Sequence, residues 1–445
     1  MANSTLGLAS SHARADARSH VAARRLGDVS TTTSWAPPST RARVRSVPIA
    51  DPGDLLNQLP HRNALCWMRG TDGFVAWGEF ARLTVNGPGR FAEAAAWWSD
   101  VVATLDVDDL VGVPGSGPVA FASFTFDDGP SDSFVIVPSV IVGRRDGAAW
   151  ITTVGDATVD PRVDPVEEQS SVRYSDGHMT AARFQASVSE AVRSIETGAL
   201  EKVVLARDLL ATMDEPVDAR ALLRPLSERY PSCWTFAVEG LVGATPELLI
   251  RRTGDHIVSR VLAGTTSRAP DAVVDAQHAA QLLSSDKDRV EHELAVRSVA
   301  ESLSPFCSDL VVPRAPEVVR LANVQHLLTD VTGRLANGES ALDLAAALHP
   351  TAAVCGTPTQ RAKQLIRDLE GMDRGRYAGP VGWLDARGDG AFGIALRCAQ
   401  IQRDERTVRM LAGCGIVSGS DPGAELSESQ TKLLAIRDAL PSSRQ

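Results

Sequence analysis

Apolar positions recur along this chain with two periods, which predict where helices and strands lie. An apolar helical face, with residues three and four positions apart, is clearest at Phe184, Val188, Ala191, Val192 and Ile195. The same spacing predicts helices over residues 90–104, 180–198, 218–230, 271–302, 341–347 and 359–369. Apolar or alternating runs between turn residues predict strands over residues 74–79, 80–83, 118–126, 133–142, 149–154, 202–207, 233–238, 247–252, 256–262, 381–385, 391–397 and 408–417.

The order of these elements predicts an α+β fold. Strands come in runs interrupted by helices, and the regular alternation of strand and helix that builds parallel sheets is missing. A stretch rich in proline and acidic residues, 156–171, predicts a linker or a long surface loop. We therefore divide the globular part of the chain into residues 46–165 and residues 166–440.

Residues 1–45 differ in composition from the rest of the chain. They are rich in Ser, Thr, Ala and Arg, contain no Glu or Lys, and have Asp16 and Asp28 as their only acids. A disordered extension and a segment like a transit peptide both fit this composition. An apolar h-region is missing, so a secretory signal is not expected.

Length, charge and cysteine usage narrow the classes of function. The chain has 445 residues, 44% of them apolar, and a net charge of −10, which argues against a nucleic-acid surface. Six cysteines without a CxxC pair are typical of a reducing cytosol, not of a disulfide framework or a zinc site. No apolar run approaches a membrane span. We expect a cytoplasmic monomer that acts on a small molecule, without nucleic-acid or membrane partners.

The segment near the C-terminus carries the most informative spacing. A glycine turn, residues 413–417, follows an apolar strand and leads into a predicted helix. Glu425, Glu428 and Lys432 stand at i, i+3 and i+7, so they share one face of that helix. Two carboxylates and an ammonium beside bare backbone N–H groups could hold a hard cation and an anionic ligand together.

A second acidic face lies far upstream. Asp288 and Glu291 are three residues apart in a predicted helix. A solvated surface is the usual reason for such a pair, and neither acidic segment alone identifies a site. The two together predict a Mg²⁺ site clamped between two helices.

Two further residues could act as acid and base. Lys202 begins an apolar strand, where desolvation would suit it to be a base, although a lysine reaching solvent from a strand end is the simpler interpretation. Glu247 stands between a Pro246 turn and an apolar strand, where a raised pKa would make it a general acid. A surface glutamate is the alternative there.

Several other positions could hold an anionic ligand. Residues 262–266 form a strand that ends in a loop of small residues, which could offer backbone N–H groups. Arg397 ends another strand and could pair with a carboxylate, and Tyr377 could orient the same ligand. His326 is an isolated histidine without the spacing of a metal site.

Taken in order, these segments resemble the chorismate-utilising enzymes, which include isochorismate, salicylate and anthranilate synthases. The resemblance covers about residues 180–435, with 46–165 similar to the more variable N-terminal part of that family. Its motifs are KVVLAR at 202–207, GATPE at 243–247, LAGT at 262–265, EH at 291–292, VQH at 324–326, HP at 349–350, GW at 382–383 with Arg397, and GCG at 413–415 followed by Glu425, Glu428 and Lys432.

The resemblance implies two packed antiparallel sheets surrounded by helices, and roles for the matching residues. Glu291 and Glu428 would bind Mg²⁺ directly, and Asp288 and Glu425 would act through water. The substrate would be chorismate. The residues implied to bind it are Leu262, Gly264, Thr265, His326, Ala353, Tyr377, Arg397, Gly413, Cys414, Gly415 and Lys432.

The residue at position 202 distinguishes the members of this family by the nucleophile that they use. In the resemblance, a lysine here is the base that activates water for attack at C2, and Glu247 protonates the departing C4 hydroxyl. We therefore expect isochorismate synthase activity that supplies menaquinone or siderophore biosynthesis. Salicylate synthases share both residues but usually have Thr where this chain has Ala353. A salicylate synthase and a catalytically silent, ligand-binding relative remain the alternatives.

Overall fold

A computed structural model describes residues 31–33, 35–36, 40–61, 63–159, 165–166 and 171–440. In these residues no helix is long and apolar enough to cross a bilayer. The helices are α1 (Arg90–Ala103), α2 (Ala181–Glu196), α3 (Ala219–Arg229), α4 (Ala272–Ser284), α5 (Asp286–Leu303), α6 (Ala341–Leu348), α7 (Thr359–Glu370) and α8 (Pro422–Arg437), with 3₁₀ turns at Leu55–Gln58 and Ser304–Phe306.

The strands are β1 (Thr31–Thr33), β2 (Ala42–Ile49), β3 (Leu65–Arg69), β4 (Asp72–Trp77), β5 (Ala81–Val85), β6 (Leu105–Asp109), β7 (Val119–Ser123), β8 (Ser133–Val137), β9 (Val140–Arg145), β10 (Ala148–Val154), β11 (Val172–Asp176), β12 (Lys202–Met213), β13 (Trp234–Val238), β14 (Leu241–Thr245), β15 (Leu248–Thr253), β16 (His256–Ser267), β17 (Cys307–Val311), β18 (Glu317–Arg320), β19 (Val324–Leu335), β20 (Gly356–Thr357), β21 (Pro380–Asp385), β22 (Gly390–Ile394), β23 (Cys398–Ile401) and β24 (Thr407–Ile416).

These strands form two large sheets. The first has 11 strands in the order β1-β5-β8-β7-β21-β22-β15-β16-β19-β17, with β18 also paired to β19. The second has 13 strands in the order β11-β12-β24-β23-β14-β13-β3-β4-β9-β10-β2-β6, with β20 also paired to β12. Within the described residues the pairings are antiparallel except that of β2 with β6.

The main core lies between the two sheets. The ring of Phe74, on β4 of the second sheet, meets two rings of the first sheet edge-on, Phe121 at 5.6 Å and Trp383 at 5.0 Å between centroids. Such edge-to-face pairs add to the gain from burying apolar area. Helices cover the outside: α5 packs on β16, α8 on β24, and α2 and α7 on β12. α5 and α8 thus lie against strands of different sheets.

Several predicted boundaries differ from the structure. The single helix predicted over 271–302 is wrong, because Ser285 has an extended backbone and its hydroxyl accepts a hydrogen bond from Asp288 N at 3.3 Å, capping α5. The strand predicted over 133–142 is two strands, β8 and β9, separated at Pro138. β1 and β2 both begin before residue 46, so the predicted extension is too long at its C-terminal end. Residues 1–30, 160–164 and 167–170 lie outside the described residues, so the predictions made for them stay predictions.

Candidate active site

The site is built on the pairing of β12 with β24. In this antiparallel register Val204 lies opposite Gly415, and Ala206 lies opposite Gly413. Because alternate strand residues face the same side, Lys202 and Val204 face the same way as the two glycines. The glycines leave room that side chains would fill.

Gly415 is required by the contact between a buried lysine and a buried carboxylate. Lys202 is fully buried, and its Nζ lies 3.2 Å from Glu291 Oε1 on α5, at an angle that does not make a hydrogen bond. A methyl group on Gly415 would lie 2.0 Å from Glu291 Oε1 and 3.1 Å from Lys202 Cε. A side chain at this position would therefore separate Lys202 from Glu291.

The predicted small-residue loop forms the opposite wall. The register of β16 with β19 shifts between Ala263 and Thr265, and Gly264 in between has φ +76°, a conformation that favours glycine. The shift places Thr265 opposite His326, whose Nδ1 lies 3.0 Å from Thr265 Oγ1 and 3.3 Å from Gly264 O.

His326 fixes the orientation of Arg397. Nη2 of Arg397 donates to His326 Nε2 at 3.0 Å, so the imidazole proton is on Nδ1, facing Gly264 O and Thr265 Oγ1. Burial and the Arg397 charge hold the pKa of His326 well below its usual value, which keeps the ring neutral. Arg397 has φ 48°, a left-handed conformation that costs on the order of 1–3 kcal/mol. Within the part of the chain that the structure describes, its buried Nε has no hydrogen-bond partner and could bind an anion.

Glu247 has the properties of a proton donor. It lies between β14 and β15 and is 4% exposed. Burial raises the pKa of Glu247 to about 8, although the charge of Lys202 opposes the shift. Near neutral pH the carboxyl group is therefore protonated and can give its proton to a leaving group.

A buried ion pair holds the strand that carries Lys202 against the loop that carries Ala353. Arg374 donates to Glu370 at 2.5 and 2.9 Å, to Val204 O at 2.7 Å and to Val354 O at 3.0 Å. Glu370 also accepts from the backbone N–H of Ala206 at 2.7 Å. Sequence reasoning missed this pair, although its i, i+4 spacing at the end of α7 is a signal that could have found it.

Replacing Glu370 by glutamine should lower the free energy of unfolding by about 3 kcal/mol, because the buried Arg374 guanidinium loses its counter-charge. Urea unfolding followed by tryptophan fluorescence measures the change. The matched control is Asp368→Asn, an exposed position on the same helix, where a change within about 0.5 kcal/mol is expected. Equal stability of the two variants would contradict the role given to the pair.

Two ammonium groups bind carboxylates of α8. Lys432 Nζ lies 2.5 Å from Glu428 Oε1 and donates to Gly413 O at 2.9 Å. Although burial acts in the other direction, Glu428 raises the pKa of Lys432 above its usual value, so it remains a cation. Lys287, which sequence reasoning also missed, donates to Glu425 Oε1 at 2.6 Å.

The four predicted metal ligands form an acidic cluster that is divided between α5 and α8, and their charges interact. Burial, with the neighbouring Glu291 and Glu428 charges, raises the pKa of Asp288, and burial with Glu428 raises that of Glu425. Burial also raises the pKa of Glu291, but the charges of Lys202 and Lys432 outweigh it and the net shift is downward. Carboxylates that raise one another's pKa are stabilised by a cation, and oxygen ligands are those that Mg²⁺ prefers, so the cluster fits the predicted ion.

Cys414 belongs to the same cluster but does not resemble a Mg²⁺ ligand. Possible ligand atoms of Cys414, Glu425 and Glu428 all lie within 4.8 Å of one another. Burial raises the pKa of the Cys414 thiol well above its usual value, and its Sγ donates to Glu425 O at 3.2 Å. The thiol faces α8, so Cys414 can contact a ligand in the cavity only through its backbone.

A small cavity of about 50 Å³ lies at the centre of these groups. Most of the predicted site residues line it: Glu247, Leu262, Gly264, Thr265, Glu291, His326, Ala353, Tyr377, Arg397, Gly413, Gly415 and Lys432. Lys202, Asp288, Cys414, Glu425 and Glu428 are not in this lining, although Lys202 contacts Glu291, which is.

A much larger cleft lies elsewhere and has a different character. It measures about 710 Å³ and shares Arg374 and Tyr377 with the small cavity. Two of its arginines are paired with protein groups: Arg82 contacts Glu239 at 2.7 Å, and Arg376 donates to Val238 O at 2.9 Å. The small cavity, where a buried lysine, a protonated glutamate and an arginine with a free donor converge, is the better candidate for catalysis.

Comparison with known sequences decides the family. The sequence profile of the chorismate binding enzyme family matches residues 38–441 of this chain. The chain belongs to the chorismate binding enzymes. The matched span includes every residue of the candidate site and every strand of the two sheets except β1.

Relatives within the chorismate binding enzymes are similar over most of the chain. The salicylate biosynthesis isochorismate synthase of Pseudomonas aeruginosa is 41% identical over 430 residues, 88% of this chain and 88% of that protein. Isochorismate synthase DhbC of Bacillus subtilis is 41% identical over 269 residues, 58% of this chain and 67% of that protein. The structure of MenF, the menaquinone-specific isochorismate synthase from Escherichia coli, matches with a TM-score of 0.73 and 25% identity, over 92% of this chain and 97% of that one. The predicted fold class, the predicted family and the prediction of an enzyme are confirmed.

Proposed function

We propose that this chain is a Mg²⁺-dependent isochorismate synthase, which adds water at C2 of chorismate while the C4 hydroxyl departs. The observation that carries the proposal is the pairing of two buried groups of opposite function at one cavity. The Lys202 side chain is fully buried beside Glu291, and Glu247 is a carboxyl group that keeps its proton near pH 7. The relatives named above are isochorismate synthases, which supports the same reaction.

The proton transfers balance between these two side chains. Lys202, in its neutral amine form, takes a proton from the attacking water as the water oxygen bonds to C2, and becomes an ammonium. Glu247 gives a proton to the C4 hydroxyl, which leaves as water while the ring double bonds shift. Each group, acting as general acid or base, would contribute about 10²–10⁴-fold to the rate.

Substrate orientation falls to the groups around the cavity. The Nε of Arg397 and the Lys432 ammonium would bind the substrate carboxylates, together with Tyr377 and the backbone of residues 413–415. Glu291 and Glu428 would hold Mg²⁺, with Asp288 and Glu425 bound through water. When bound, the ion would supply positive charge to the ring carboxylate of chorismate and orient it.

The reaction need not end at isochorismate. Elimination of pyruvate from isochorismate would give salicylate, and one relative is named for salicylate biosynthesis. Ala353 lines the cavity where the resemblance to salicylate synthases predicts Thr, which favours release of isochorismate. The names of the relatives make menaquinone and siderophore biosynthesis the two proposed destinations.

The test is incubation of the purified protein with chorismate and Mg²⁺, followed by chromatography of the products. Isochorismate without matching pyruvate, formed with Mg²⁺ and lost on adding EDTA, is the expected result. Salicylate with equimolar pyruvate would replace the proposal with the salicylate synthase alternative. No conversion, with or without ammonia, would indicate a silent relative.

A further inference from the structure

Lysine is rare in this chain and is concentrated at one place. Lysine and arginine together number 45, yet only Lys202, Lys287, Lys363 and Lys432 are lysines. Three of these four contact carboxylates of the acidic cluster formed by Asp288, Glu291, Glu425 and Glu428. A compact ammonium is a point charge that can lie between carboxylates. Lys202 and Lys432 already have roles in the proposed reaction, but Lys287 has none.

The position of Lys287 is set by the break between α4 and α5. Because Ser285 caps α5, Lys287 falls in its first turn, four residues before Glu291 on the same helical face. Its Nζ lies 2.6 Å from Glu425 Oε1 on α8, so this contact joins the two helices that carry the acidic cluster. The Lys287 side chain is 35% exposed, whereas that of Glu425 is 2% exposed.

The charges around Lys287 come from both helices. Glu425 is the nearest, and Glu291 and Glu428 also interact with it, so together they raise the pKa of Lys287 although burial lowers it. Four carboxylates therefore face three ammonium groups. Lys287 occupies the place where positive charge from solution would otherwise be attracted.

We propose that Lys287 is an internal counter-ion of Glu425 that weakens binding of a divalent cation at the acidic cluster and keeps that cation exchangeable. The inference rests on the proposed Mg²⁺ site. Without the ion, Lys287 reduces repulsion among the buried carboxylates. With the ion present, the Lys287 ammonium repels it and competes with it for Glu425.

The test measures cation binding instead of turnover. Mn²⁺ is the probe, and the free ion is followed by electron paramagnetic resonance at fixed pH and ionic strength. Lys287→Met should bind Mn²⁺ about tenfold more tightly than the wild type, because a unit charge next to the ion is removed. Lys287→Arg keeps the charge and should bind within about threefold of the wild type.

The matched control is Lys363→Met, which removes the same charge from the fourth lysine. Lys363 lies 3.0 Å from Asp127 and outside the acidic cluster, so Mn²⁺ affinity should not change. Thermal unfolding gives a second readout. In EDTA, Lys287→Met should melt at a lower temperature than the wild type. Saturating Mg²⁺ should raise the melting temperature of Lys287→Met by more than it raises that of the wild type.

Three results would overturn the proposal. Weaker Mn²⁺ binding by Lys287→Met would mean that the lysine positions Glu425 for the ion. Unchanged binding would mean that the contact between Lys287 and Glu425 has no effect on the cation. Absence of Mn²⁺ binding by the wild type would overturn the Mg²⁺ site itself, together with the role of Lys287.

Discussion

Replacement of Lys202 by alanine should lower kcat by about 10³-fold, within the range known for loss of a general base. Lys202 is fully buried, and its ammonium contacts the Glu291 carboxylate that lines the cavity. His326, the histidine in that lining, has both ring nitrogens engaged and cannot replace it. Turnover of chorismate to isochorismate, measured by chromatography at saturating substrate and Mg²⁺, gives the size of the effect.

Loss of Lys202 also removes the positive partner of Glu291, so a second variant is needed. Lys202→Arg keeps a cation beside Glu291 but cannot lose a proton at working pH. If Lys202 is the base, both variants lose turnover to a similar extent, while Lys202→Arg retains more of the Mn²⁺ affinity. Full turnover by Lys202→Ala would rule out the base assignment, and Lys363→Ala is the control for loss of a lysine elsewhere.

The sequence predicted the parts of this site that depend on local spacing. Glu425, Glu428 and Lys432 share a face of α8, as the helical period requires. Asp288 and Glu291 likewise share a face of α5. Periodicity states which side chains point the same way, but it does not state which two helices meet. The meeting of these two faces was a hypothesis from the two acidic segments, which the order of the family motifs supported.

Features that depend on tertiary contacts were missed. The left-handed backbone of Arg397 and its contact with His326 join residues 71 positions apart, and nothing in either local sequence predicts the pair. The break at Ser285 was missed although residues 284–289 are all polar and interrupt the apolar pattern. The cap that Ser285 forms with Asp288 separates the two helices. That break determines where Lys287 lies, so the lysine was also missed.

Replacement of Glu247 by glutamine should also lower kcat by about 10³-fold, because the amide has the shape of the carboxyl group but no acidic proton. The pH profile adds a second signature. The protonated carboxyl is the active form and its pKa is raised to about 8, so kcat/KM of the wild type should fall as pH rises through about 8. Glu247→Gln should retain low, flat activity across that window, since the titrating group is absent.

The same pKa shift also predicts how the free energy of unfolding depends on pH. Burial raises the pKa of Glu247 from 4.5 to about 8, so between these values the folded chain keeps a proton that the unfolded chain has released. The free energy of unfolding therefore falls as pH rises through this window, and above about 8 the folded protein contains a buried carboxylate. Glu247→Gln removes this pH-dependent loss, so its melting temperature relative to the wild type should be higher at pH 9 than at pH 5.

The exposed Glu317→Gln is the control for stability, because it removes a carboxyl group outside the cavity. We expect Glu247→Gln to lose turnover but to become more stable than the wild type at high pH. That result would identify Glu247 as a carboxyl group that is buried for catalysis and lowers the free energy of unfolding. Lost turnover with an unchanged pH dependence of stability would mean that Glu247 is not held protonated in the folded chain. The acid role would then need another residue.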